Sequence, residues 1–196
     1  MLRIVVEGES DRGAAEAIVK SRGFEEFSIS SKGGVSNLDK QLAAYNRAAA
    51  RGPWLVIRDS DAKCPVRLRS ELIDGEWSSG ISLRLACSMI EAWLMADAEK
   101  FAAWFSVSLA KVPSLPDDLE HAKRSLLTLC SSSRSRDIRT GVVTQDGNRA
   151  GPLYVSVLND YARTTWRPDV AAESSPSLAR GLRDIDARLA DGRWTL

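Results

Sequence analysis

Apolar residues in the first half of the chain fall into four short runs that alternate with segments of helical spacing. The four predicted strands span residues 2–6, 27–31, 54–58 and 81–85. The first and third are nearly continuous apolar runs, as is typical of strands covered by helices on both faces. The intervening segments predicted as helices are residues 11–19, 37–51 and 65–74. This alternation predicts an α/β fold: a mostly parallel, Rossmann-like, four-stranded sheet flanked by helices.

The pattern changes after Ser88, where helical spacing continues but strand signals become rare. Candidate helices in this half are residues 89–96, 119–130, 154–162 and 178–189. We therefore expect an α/β core at residues 1–97 and a mainly helical region at residues 98–196 that packs on this core.

The composition excludes some classes of protein but does not identify a function. The chain has 196 residues, 44% of them hydrophobic, and a formal net charge of +1, so any affinity for nucleic acid must come from a local patch. No apolar run approaches the roughly 20 residues of a membrane span, and the N-terminus lacks the features of a signal peptide. Three cysteines without a CxxC pair indicate reduced thiols. We expect a cytoplasmic protein without membrane contact.

Acidic residues follow the predicted strands at the point where each strand ends. Glu7 comes after the first strand, and Asp59 and Asp61 come after the third. Asp11 lies one helical turn beyond Glu7, and Glu91 follows the fourth strand. The carboxyl ends of parallel strands meet at one edge of a sheet, so these side chains can converge there.

Carboxylates in such a group suit Mg²⁺ or Mn²⁺, which prefer oxygen ligands. Two such ions can promote in-line displacement at phosphorus. The alternative is that each acid caps a helix N-terminus, and for any single one of them the cap is the better interpretation. For the set taken together, we favour a metal site.

These residues also resemble a known family. The segment Val5-Val6-Glu7-Gly8-Glu9-Ser10-Asp11 is similar to the opening motif of the TOPRIM fold, and Asp59-Ser60-Asp61 is similar to its DxD motif. Gly33-Gly34 falls where OLD-type nucleases carry a glycine-rich turn. The segment Ile90-Glu91-Ala92-Trp93-Leu94-Met95-Ala96-Asp97 resembles small bacterial TOPRIM-like proteins that are typically encoded beside an ABC/SMC-like ATPase. Arg84 and the segment Ser175-Pro176-Ser177-Leu178 fit that group too.

The resemblance implies that Glu7 is a metal ligand and the candidate general base, and that the other four acids share the Mg²⁺ or Mn²⁺ ions. It leaves the role of Ser88 open, because Ser88-x-x-Glu91 is one residue longer than the corresponding OLD element. The catalytic lysine of OLD nucleases is not assigned here, although Lys111 and Lys123 are available.

Basic residues near the predicted active edge could neutralise phosphates, or could be ordinary solvated charges. They are Lys32, Arg58, Lys63 and Arg84. His121, the single histidine, has no metal-spaced partner. No GxxxxGK[ST] motif is present, so an ATPase would be a partner protein.

We expect a metal-dependent nuclease, with DNA favoured over RNA as substrate, that acts in defence against phage or plasmid DNA. The alternatives are a non-catalytic TOPRIM-like module that docks on an ATPase or nucleic acid, and a small TOPRIM ribonuclease.

Overall fold

The computed structural model of the protein describes residues 1–73 and 75–196. Its centre is a sheet of four parallel strands in the spatial order β2-β1-β3-β4. The strands are β1 (Leu2–Val6), β2 (Phe27–Ser31), β3 (Trp54–Asp59) and β4 (Ile81–Ala86). The predicted α/β fold with a parallel four-stranded sheet flanked by helices is confirmed.

The helices of the described residues surround this sheet. In the first half they are α1 (Arg12–Lys20), α2 (Val35–Asp39), α3 (Leu42–Ala48) and α4 (Pro65–Leu72). In the second half they are α5 (Ile90–Ala96), α6 (Ala98–Trp104), α7 (Ala122–Ser131), α8 (Arg136–Gly141), α9 (Tyr154–Thr164), α10 (Pro168–Ser174) and α11 (Pro176–Ala190).

Two helices of the first half differ from the sequence prediction by two residues or more. The single helix predicted over residues 37–51 is wrong: it is divided into α2, α3 and a short 3₁₀ turn. At the break, the Gln41 N–H donates to the Leu38 carbonyl three residues back, at 3.0 Å. Leu38 and Leu42, on either side of it, are both buried against the sheet. The helix predicted to reach Asp74 ends at Leu72, and residue 74 lies outside the described residues.

The sheet is covered on both faces, as its apolar strands require. Ile4, Val6 and Ile57 belong to a large core shared with α1, α5, α7, α9 and α11. Val5 and Val56, which point to the opposite face, belong to a smaller core beneath α2 and α3. The alternation of side chains along each strand therefore separates the two cores.

The C-terminal helices share the large core with the sheet. Trp93, Phe101, Tyr161 and Leu178 are almost fully buried in the same hydrophobic cluster as β1. None of the helices in the described part of the chain is both long and apolar enough to span a membrane.

The order of the strands creates a crevice at one edge of the sheet. The chain passes from β1 to β2 on one side, then crosses over to β3 on the other side of β1. Ligands of open α/β sheets bind outside the carboxyl ends of the strands at such a reversal. In this protein, the reversal lies between the ends of β1 and β3.

Candidate metal-binding site at the strand ends

Glu7 is the first residue after β1 and stands at the mouth of the crevice. Its backbone carbonyl accepts N–H bonds from Lys32 (3.2 Å) and Gly34 (3.1 Å). Gly34 has a φ of +125°, which only glycine adopts readily, so the glycine turn after β2 fixes the backbone at Glu7. The glycine turn therefore fixes the position of the backbone that carries the Glu7 side chain.

The loop after β3 carries Asp61 in a left-handed backbone conformation. Asp61 and Ala62 have φ values of +50° and +61°. Aspartate tolerates this region, but for alanine it costs about 1–2 kcal/mol. The loop is held in place because the Ser60 and Asp61 N–H groups donate to the Ser88 carbonyl, at 3.0 and 3.1 Å. Backbone strain of this kind is concentrated at functional sites.

Asp11 is buried at the end of the 3₁₀ turn Glu9–Asp11, directly before α1. Its Oδ2 accepts the Gly8 N–H at 2.7 Å, and its Oδ1 accepts the Ser10 hydroxyl at 2.9 Å. Asp11 thus closes the turn that follows β1 as the third residue of a capping box, whereas its side chain makes no N-cap bond to α1.

Asn159, on α9, makes two hydrogen bonds to the backbone of the segment around Asp11. Its side-chain amide donates to the Glu9 carbonyl at 2.9 Å, and its Oδ1 accepts the Gly13 N–H. A Cβ at Gly13 would lie 2.7 Å from the Asn159 Cα and carbonyl oxygen. Glycine at position 13 is therefore required for α1 to approach α9 this closely.

Glu91 is buried in the first turn of α5, where the Tyr154 hydroxyl donates to its Oε1. The Lys123 ammonium lies 4.7 Å from the centre of the Tyr154 ring. Lys123 also lowers the pKa of Asp11 through its charge. Lys123 therefore lies beside the acidic residues, although its position in the sequence gave no support for this.

The pKa values of Glu7 and Asp11 are raised in part by the charges of neighbouring acids, so these acids lie close together. Burial, followed by the negative charges of Asp61 and Asp11, raises the pKa of Glu7 from 4.5 to about 7. Burial and the charge of Glu91 raise the pKa of Asp11 from 3.8 to about 6, although the Gly8 N–H bond lowers it.

The pKa of Asp59 is also raised well above its usual value. Burial is the main cause, and the charges of Glu91, Asp11 and Glu7 add to it. A bond from the Ile90 N–H to Asp59 Oδ1, 2.9 Å long, opposes the shift. The structure thus brings Glu7, Asp11, Asp59, Asp61 and Glu91 together in what we call the acidic pocket.

Arg58, predicted from the sequence as a phosphate contact, lies buried beneath the acidic pocket. Its guanidinium makes two bonds to the Asp39 carboxylate, at 2.9 and 3.0 Å, and lies 3.9 Å from Asp61. Its positive charge lowers the pKa of Glu7. In this position Arg58 neutralises the acidic residues from inside the protein.

The other predicted phosphate contacts lie at different places around the sheet edge. Lys32 lies 5.6 Å from the centre of the Tyr45 ring, over the glycine turn. Lys63 is exposed on the loop after Asp61. Arg84 lies farther along β4, against α11, and is half-buried.

The donor chemistry of the acidic pocket fits a hard cation, although the side chains are not arranged around one. Within residues 1–73 and 75–196, no three His, Cys, Asp or Glu side chains form a group with metal-site geometry. Asp11, Asp59 and Glu91 each turn an oxygen towards a protein donor. Glu7 Oε2 is buried without a hydrogen-bond partner among the described residues. A cation bound at Glu7 Oε2 would replace the missing hydrogen-bond donor and reduce the repulsion between the carboxylates.

Sequence reasoning missed Tyr154 and Asn159, and it named Lys123 without assigning it a role. All three come from the helical half and reach the strand ends through tertiary packing. The apolar spacing of α9 places Tyr154 on its buried face, but no local motif indicates what its hydroxyl contacts.

Fold and site together define an α/β protein with a parallel sheet and an acidic pocket at the carboxyl ends of β1 and β3. Comparisons with protein-family models, with curated proteins and with solved structures found no match.

Proposed function

We propose that this chain is a Mg²⁺- or Mn²⁺-dependent nuclease of the TOPRIM type that hydrolyses phosphodiester bonds in DNA, with RNA as the less favoured substrate. The observation that carries the proposal is the acidic pocket. Its carboxylates come from separate strand ends, burial and the charges of neighbouring acids raise the pKa values of Glu7, Asp11 and Asp59, and Glu7 Oε2 is buried without a hydrogen-bond partner among the described residues.

The proposal gives the acids unequal roles. Glu7, Asp59 and Asp61 would hold the metal, and Asp11 and Glu91 would complete the ligand set. A bound divalent ion would supply Lewis-acid stabilisation of charge on the scissile phosphate. Following the resemblance, Glu7 would also take a proton from the attacking water.

Lys123 is the cation best located to contact a phosphate at the acidic pocket. Its ammonium is held over the Tyr154 ring, whose hydroxyl binds Glu91. We expect Lys123→Met to reduce cleavage at least about tenfold, in line with the loss of one charge-stabilising donor. Tm should remain close to that of the wild type.

The test is cleavage of plasmid DNA, linear DNA and RNA by purified protein with Mg²⁺, Mn²⁺ or a chelator. Asp59→Asn and Asp61→Ala should abolish cleavage. Asp160→Asn, at an exposed aspartate on α9, is the matched control and should cleave like the wild type. Equal activity of wild type and both pocket variants would exclude the proposal.

A non-catalytic module is the second candidate, and the hydrogen bonds of Asp11 and Asp59 favour it. Both carboxylates accept backbone N–H bonds at the beginning of a helix or turn, as caps do. A module of this kind would bind an ATPase or nucleic acid without cleaving it. Thermal denaturation separates the two candidates, since metal at 100 times its Kd stabilises a binding protein by about 2.7 kcal/mol.

The resemblance to TOPRIM-like proteins also supports a proposal for the cellular role of the chain. It supports a cytoplasmic protein that acts against phage or plasmid DNA with an ABC/SMC-like ATPase. The three free cysteines, Cys64, Cys87 and Cys130, are compatible with a reducing compartment. Co-purification of the chain with the product of a neighbouring ATPase gene tests the partnership.

A further inference from the structure

A second pocket lies along β4, away from the acidic pocket. It has a volume of about 400 Å³ and is enclosed by α4, β4 and the first turns of α11. Leu83 and Leu85 form its apolar wall, and three arginines reach it from the three elements. We call it the arginine pocket, after Arg69, Arg84 and Arg180.

Positive charge in the arginine pocket is poorly balanced. Arg69 and Arg180 are exposed and form no ion pair with any described residue. Among the described residues, the acid paired with Arg84 is Asp184, whose Oδ2 is 3.7 Å from the Arg84 guanidinium. Asp184 is already bonded to the Ser82 hydroxyl at 2.6 Å and to Arg188 at 2.7 Å. The single carboxylate of Asp184 is therefore shared between Arg84 and Arg188.

Arg84 carries the clearest sign of a missing anion. Its Nε is buried and has no hydrogen-bond partner within residues 1–73 and 75–196. Burial lowers the pKa of Arg84, and the charges of Arg69, Arg188 and Arg180 lower it further, against the effect of Asp184. An unpaired buried donor of this kind is costly, and the negative charge of an anion in the pocket would offset the charge of the Arg84 guanidinium.

The arginine pocket continues towards the acidic pocket. A second cavity of about 430 Å³ shares Pro65 and Arg180 with it and extends to Ser60, Lys63 and Ser88. Ser60 and Lys63 flank Asp61 in the loop after β3. This second cavity also contains Asp117, Asp118 and Glu120, so the way from Arg84 to the edge of the acidic pocket is lined by side chains of both charges.

We propose that the arginine pocket binds a backbone phosphate of the polynucleotide, away from the phosphate that is cut. Guanidinium groups bind phosphate oxygens through paired N–H donors, and the pocket offers three of them beside an apolar wall that can accept a sugar or base. This inference rests on the proposed function only for the identity of the polymer. It makes the arginine pocket an anchoring site that sets the path of the strand.

The experiment measures binding of a short fluorescein-labelled single-stranded DNA by fluorescence anisotropy in excess chelator, so that no cleavage occurs. The test protein is Arg69→Gln/Arg180→Gln. The control is Arg67→Gln/Arg183→Gln, which removes the same charge from exposed positions on the same two helices, outside the pocket. Thermal denaturation verifies that both proteins remain folded.

We expect the test protein to lose at least about tenfold in affinity, with a shallower dependence on salt, because backbone contacts release counterions. The control should change less than about twofold. Equal losses in both proteins, or no loss in the test protein, would overturn the proposal. Because cleavage is not measured, failure of the nuclease proposal leaves this result interpretable.

A second arm adds inorganic phosphate alone and follows Tm. Stabilisation of the wild type by phosphate, combined with absence of DNA binding, would identify a site for a free anion and refute the polynucleotide anchor. Loss of both responses in Arg69→Gln/Arg180→Gln, with both retained in the control, supports the anchor.

Discussion

Replacing Glu7 by glutamine should change how stability depends on pH. The pKa of Glu7 is 4.5 in the unfolded chain and about 7 in the folded protein. Below pH 4.5 both states hold the proton. As pH rises towards 7, the unfolded chain releases the proton while the folded chain retains it, so the free energy of unfolding falls. The stabilising effect of protonation is lost above pH 7.

The size of the effect follows from that pKa difference. At about 1.4 kcal/mol per pH unit, it corresponds to roughly 3 kcal/mol. Because Glu7 is half-buried and solvent screens part of its interactions, we expect about 1–2 kcal/mol. Glu7→Gln carries no charge at any pH, so its stability relative to wild type should rise by this amount between pH 5 and 8.

Urea denaturation of metal-free protein at several pH values between 5 and 8 measures this difference. Glu25→Gln, at an exposed position, is the control and should follow the wild type. Adding Mn²⁺ at pH 7.5 should stabilise the wild type and not Glu7→Gln. Parallel stability curves for wild type and Glu7→Gln would refute the assignment of Glu7 to a repulsive, buried cluster.

Three further substitutions test the packing around the acidic pocket and between α11 and β4. Gly13→Ala should lower stability by about 1–3 kcal/mol, because its Cβ would lie 2.7 Å from Asn159 backbone atoms; urea denaturation measures the loss. Gly181→Ala in the interior of α11 should leave stability unchanged or raise it by up to about 1 kcal/mol, since its Cβ would meet neighbours at 3.7 Å or more. Tyr154→Phe removes the hydroxyl bonded to Glu91, leaves a buried acceptor unpaired and should cost about 1–3 kcal/mol in the same assay.

The sequence predicted β1 and β3 well because each is an apolar run that is largely buried on both faces, whereas β2 alternates serine with apolar residues and is only partly buried. β3 and β4 nevertheless extend one residue beyond the predicted runs, to Asp59 and Ala86. These two residues pair with each other in the sheet, and backbone pairing does not require apolar side chains. The break between α2 and α3 was not predicted because it depends on how Leu38 and Leu42 pack on the sheet, which helical spacing alone does not determine.

Sequence position also placed Glu7, Asp59 and Asp61 at one edge, because the topology of a parallel sheet brings the ends of its strands together. The contributions of the helical half could not be predicted in the same way. Asn159 contacts a residue 146 positions away, and Tyr154 contacts one 63 positions away. Contacts at such separations arise from packing and leave no local pattern in the sequence.

The balance between capping and repulsion bears on what the acidic pocket is for. A carboxylate whose main role is to cap a helix has its pKa lowered, because backbone N–H groups stabilise the charged form. In Asp11 and Asp59 the caps are present, yet burial and neighbouring acids outweigh them and raise both pKa values. Helix capping alone would require only separate, solvated carboxylates. The crowding of the carboxylates in the acidic pocket therefore has a free-energy cost that capping does not explain, and a bound cation would offset that cost.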